Sequence, residues 1–249
     1  TLMYFSIRGG LDSQPFLASN SHHDVDKAYC PTFLVPMLYF RLMDALGVDE
    51  KCSLDGIEDI SPQAVSLCYG LCERGAIALL MILLCDKRDE MRDLTLACLG
   101  LFSIVISSSQ SRSYSPWKDR PQQQMLIMCV QQGLILATKG DSSAQVPCLP
   151  AVSALFLARA SLILQTPSHF MYTSINKAFL KNADNSGAFP DLFRIPLFVS
   201  LVSSASDEKG RMSQERLWAL RLLHDGFLDK DCYRPLVSCH GSELLLSML

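Results

Sequence analysis

Ten cysteines and five histidines are the side chains of this 249-residue chain best suited to metal binding or nucleophilic chemistry. The cysteines stand at Cys30, Cys52, Cys68, Cys72, Cys85, Cys98, Cys129, Cys148, Cys232 and Cys239, and no two form a C-x-x-C pair. The usual zinc-ribbon, finger and thioredoxin spacings are therefore absent. Cys68 and Cys72 lie one helical turn apart and Cys239 adjoins His240, so a metal site can be assembled there. Most of the cysteines instead replace Leu or Ala on apolar helical faces, and core packing is the plainer reading. Free thiols of that kind suit a reducing compartment. Of His22, His23, His169, His224 and His240, His224 sits at a helix end beside Asp225, where an imidazolium is favoured by the helix dipole. No phosphate-binding glycine loop, nucleophile elbow or paired-histidine metalloprotease motif occurs, so neither catalysis nor a metal or cofactor is expected.

A second candidate is the Ser/Pro-rich stretch 107–121, where Arg112, Lys118 and Arg120 oppose Asp119 and are interleaved with Tyr114 and Trp117. Cations beside aromatic rings can pair with RNA phosphates and stack on bases. Ser115 before Pro116 can accept a phosphate. The competing expectation is a mobile surface insertion, because Pro116 and Pro121 forbid one continuous helix.

Composition limits what these residues can serve. The chain is 49% hydrophobic and 19% charged with a net charge of −3, which excludes wholesale disorder and argues against autonomous nucleic-acid binding. Residues 1–60 are acidic, a balance suited to a protein partner rather than RNA. The longest apolar runs fall short of the 18 or more residues expected of a membrane span, and charges crowd between them. No signal peptide opens the chain, and Thr1 in place of Met reads as a piece cut from a longer protein.

The elements that must position these groups are helices. Apolar residues recur at helical spacing over 31–46, where Phe33, Leu34, Met37, Leu38, Leu42 and Leu46 form one stripe and Gly47 a stop. Ser61-Pro62 reads as cap and first residue of a helix that Gly75 either breaks or kinks. Further helices are expected over 89–106, 122–138, 149–165, 168–181, 189–203, 214–224, 229–238 and 242–249. Nothing alternates long enough to make a strand. The expected fold is all-α: an armadillo/HEAT-like α-solenoid of about ten or eleven helices, preferred to a compact bundle. Asp89, Arg92, Ala97 and Leu99 are placed as in the second helix of a HEAT repeat, with Asp and Arg able to bridge adjacent units. Residues 1–24 form a poorly ordered arm and 25–249 one helical domain.

The stretch E-R-L-W-A-L-R-L-L-H-D-G-F-L-D-K-D-C-Y at 215–233 resembles the C-terminal domain of the nucleolar pre-ribosomal-associated protein 1 family. The segments at 179–198 and 66–80 resemble the same domain, extending the likeness over roughly 55–249. Glu215, Arg216, Trp218, Leu223, Asp225 and Gly226 carry it. The resemblance implies a non-catalytic scaffold in early large-subunit (pre-60S) assembly and precursor rRNA processing in the nucleolus. Its implied partners are a second large helical scaffold, a DEAD-box helicase, precursor rRNA and small nucleolar RNAs, with no membrane. Structurally, Leu217, Trp218, Leu220, Leu222 and Leu223 would form an apolar face, Arg216 and Asp225 would bridge helix ends, and Gly226 would supply a left-handed cap. The alternatives are a generic armadillo-like adaptor and, least supported, a thiol or hydrolytic enzyme.

Overall fold

The computed structural model describes residues 30–48, 60–138, 145–184, 192, 211–228, 230–238 and 240–246. Among them there is no strand. The helices are α1 (Pro31–Leu46), α2 (Pro62–Glu73), α3 (Ala76–Leu83), α4 (Asp89–Ser107), α5 (Ser109–Ser113), α6 (Arg120–Thr138), α7 (Ala151–Leu164), α8 (Tyr172–Asp184), α9 (Arg211–Gly226), a 3-10 turn (Lys230–Cys232), α10 (Tyr233–Ser238) and α11 (Gly241–Leu246). The arm expected over 1–24, residues 49–59 of the acidic first part of the chain and the helix expected over 189–203 lie outside the described residues, save for Leu192, which is buried.

Local chemistry sets the helix ends. Gly47 takes a positive φ of 64° and its N–H reaches the Asp44 carbonyl at 3.1 Å, closing α1. Ser61 Oγ accepts from the Ala64 N–H at 3.1 Å, with Pro62 in the first turn where no donor is missed. Gly75, at φ 83°, breaks the chain between α2 and α3, which meet at 68°. No single described helix is long and apolar enough to cross a membrane; that bent pair reaches the length only together. Ser168 lies in a turn, and α8 begins at Tyr172 rather than directly after it.

The helices pack in two rows. In one, α1 lies on α4, α4 on α6 and α6 on α8; in the other, α3 lies on α7 and α7 on α9. Rungs join them: α3 with α4, α6 with α7, α7 with α8. The middle of this arrangement is α7, which is buried on every side over Val152–Ala158 and again at Ala160, Ser161, Ile163 and Leu164. That explains why its sequence is apolar all round rather than striped. A polar anchor on its α6 side is reciprocal: Gln123 Nε2 of α6 donates to the Ser161 carbonyl at 2.9 Å, and Ser161 Oγ to Gln123 Oε1 at 3.2 Å. Both side chains are thus satisfied where leaving either unpaired would cost about 1–3 kcal/mol.

Two expectations about faces change. On α1, Val35, Leu38, Leu42 and Met43 face the core, whereas Phe33 and Met37 of the expected stripe lie outside with Phe40. Arg92 does not bridge repeat units through a neighbour's carboxylate. Its guanidinium pairs with Asp89 one turn back, donates from Nη1 to the Asp86 carbonyl at 2.7 Å and from Nε to the Val146 carbonyl at 2.9 Å. A buried fork satisfied in this way ties α4 to the segment entering α7.

Candidate functional site

The stretch 107–121 holds a short helix and a turn bonded to the end of α4. After α4 ends, Ser108 Oγ accepts from the Ser111 N–H at 3.1 Å and starts the short helix α5. Ser111 is buried, and its hydroxyl donates to the Ile106 carbonyl at 2.6 Å. Arg120 Nη1 donates to the same carbonyl at 2.9 Å, placing a cation on the negative end of α4. Arg120 is therefore engaged structurally rather than held out for a phosphate. Trp117 is only 3% exposed, and half-buried Tyr114 packs edge-on against Tyr69 of α2 with ring centroids 5.6 Å apart. Neither ring can serve as an open stacking platform. Arg112, Ser115 and Lys118 remain on the surface.

Turning Trp117 inward builds something the sequence does not show. Tyr69, Trp117, Tyr172 and Pro167 wall a cleft of about 430 Å³ between α2, the 114–119 turn, α6 and the α7–α8 connection. The Tyr69 and Trp117 centroids are 6.0 Å apart. Tyr69 Oη donates to Glu73 Oε1 at 2.6 Å, and that bond holds the phenol up at about 12. Asp119 lies deeper; burial pushes its carboxyl up, and the charge of Glu73 adds to the push. Asp119 also raises the Cys72 thiol at the cleft wall, after burial and Cys68. The cleft thus carries a negative potential. Among the described residues, three of its buried polar atoms have no hydrogen-bond partner: Trp117 Nε1, Gln122 Oε1 and Gln165 Nε2.

At the other end, the 215–226 segment lies in α9. Trp218 meets Phe156 of α7 edge-on at 6.2 Å, and Ala219, Leu222 and Leu223 are buried beside it, while Leu217 and Leu220 face outward. Glu215 is buried and accepts from Ser174 Oγ at 3.0 Å. Asp225 pairs with Arg159 of α7 and with His224 Nδ1 at 3.0 Å, not with half-buried Arg216. Gly226 is not a left-handed cap: it closes α9 without a positive φ. A Cβ there would lie 2.7 Å from Val152 Cα, so the glycine is required by the close approach of α9 to α7.

The thiols divide by position. Cys68, Cys72, Cys98, Cys129 and Cys232 are buried and Cys85 half-buried, whereas Cys30 and Cys148 are exposed; Cys52 and Cys239 lie outside the described residues. Burial lifts Cys68, Cys85 and Cys98 to about 12 and Cys129 to about 11, so these thiols stay protonated at neutral pH. Among the described residues no three His, Cys, Asp or Glu side chains are grouped to hold a metal ion.

Two rows of packed helices, a central apolar helix and an aromatic cleft lined by Glu73 and Asp119 define an all-α protein over the described residues. Comparison with curated proteins and with solved structures gives no match. A family model described as nucleolar pre-ribosomal-associated protein 1 matches residues 77–249. The chain belongs to that family, which associates it with the pre-ribosomes of the nucleolus.

Proposed function

We propose that this chain is a non-catalytic scaffold segment acting in early assembly of the large ribosomal subunit and in precursor rRNA processing. The family match over 77–249 carries the reading. The two-row packing supports an armadillo/HEAT-like solenoid, in which each unit buries faces against its neighbours. Exposed Phe33, Met37 and Phe40 on α1 suit a helix at one end of such a stack. In this reading the chain's partners are other assembly proteins, a second large helical scaffold and a DEAD-box helicase among them. Precursor rRNA and small nucleolar RNAs join through the full-length protein. Conditional depletion of the intact protein tests it: large-subunit rRNA precursors should accumulate while small-subunit maturation continues. Exclusion of the tagged protein from nucleoli would favour the generic adaptor instead.

A further inference from the structure

We propose that the cleft beside Trp117 binds an extended, basic peptide segment of a partner protein, one arginine side chain entering between Glu73 and Asp119 against Tyr69. The site is independent of the assembly role and would stand without it.

Four observations converge on that occupant. First, about 430 Å³ is within the range of sites that take a small ligand or a side chain with its flanking backbone. Second, Glu73 and Asp119 have no ion-pair partner among the described residues, and the only cation lining the cleft, Lys118, is exposed. Two carboxylates facing one lysine repel a phosphate backbone and attract a cation. Third, half-buried Tyr69 and Tyr172 line the cleft beside the inward-turned Trp117, and a guanidinium stacks on such tyrosine rings while presenting donors in its plane. Fourth, Trp117 Nε1 and Gln165 Nε2 are buried donors without acceptors among the described residues, and Trp117 is 3% exposed. A peptide carbonyl beside the arginine is the kind of acceptor these cleft-lining side chains lack, and pairing with it requires Trp117 or Gln165 to turn toward the cleft. A neutral apolar occupant would leave all of these groups unsatisfied.

The test is fluorescence anisotropy with the intact chain. The probes are a labelled Gly-Ser-Ala-Arg-Ala-Ser-Gly peptide, its glutamine counterpart and a labelled single-stranded oligouridine. The arginine peptide should bind saturably, the glutamine peptide at least about tenfold more weakly. Glu73→Gln, at an exposed position that leaves the core untouched, should weaken the arginine peptide about tenfold. Trp117→Phe should weaken it further, whereas Arg112→Ala, outside the cleft, should change nothing. Failure to saturate by about 1 mM, equal binding of both peptides, or unchanged binding by Glu73→Gln would each overturn the proposal. So would tighter binding of the oligouridine that is lost in Arg112→Ala, which would mark the surface as an RNA contact.

Discussion

Arg159 of α7 and Asp225 in the last turn of α9 form an ion pair, both side chains largely shielded from water. It joins two helices that lie far apart in sequence and sets the end of α9 against the buried middle helix. Asp225→Asn should lower unfolding free energy by about 1–2 kcal/mol, because it leaves a partly buried guanidinium without its counter-charge. Urea denaturation measures this, and Arg159→Met combined with Asp225→Asn should recover part of the loss.

Two helical glycines should respond oppositely to alanine. Gly226→Ala drives a methyl to within 2.7 Å of Val152 Cα, backbone that cannot yield by changing rotamer, and should cost about 1–3 kcal/mol. Gly100 of α4 has nothing within 4 Å of the added Cβ, so Gly100→Ala should stabilise by about 0.5–1 kcal/mol. Thermal or urea melts of the pair decide both signs.

The cleft should make stability depend on pH in an unusual direction. Burial raises the Asp119 carboxyl in the folded state, with Glu73 adding to it, while the Asp119 N–H and Gln123 act the other way. A raised carboxyl favours the folded state below its ordinary pKa of about 4, and that advantage is lost as pH rises through the native value. Asp119→Asn removes the titration. The variant should therefore gain stability relative to the parent between acid and neutral pH, as urea titrations at several pH values would show. It should lose arginine-peptide binding over the same range.

Thiol reactivity should follow burial. The Cys30 thiol is exposed and is lowered by its hydrogen bond to Thr32, while burial holds Cys68, Cys98 and Cys129 up near 11 to 12. Native alkylation at neutral pH followed by peptide mapping should modify Cys30 first, Cys148 next, and the buried three only after denaturation.

Particular residues show where sequence reasoning reached and where it stopped. Ser61, Gly47 and Gly75 act through local backbone chemistry, so their roles were legible from neighbours a few positions away. Gly226 follows a helix, which suggests a left-handed cap, yet its reason is Val152, a residue distant in sequence. The stretch 107–121 reads as a loop from its serine run and from Pro116 and Pro121, which forbid one continuous helix. Ser108 and Ser111, three apart, were the available signal that the stretch caps itself. The cleft was beyond reach: Glu73, Trp117, Gln122 and Gln165 come from four separate segments and meet only through tertiary packing. Trp218 lies in its expected helix with buried Leu222 and Leu223 beside it, whereas Leu217 and Leu220, expected on the same face, lie outside it.

The assembly role itself is tested most directly by purifying the intact tagged protein from cells under native conditions and quantifying the RNA recovered with it. The account predicts strong enrichment of large-subunit rRNA precursors over small-subunit precursors and mature rRNA. Recovery of no precursor, or of both precursor classes in their cellular proportion, would contradict it.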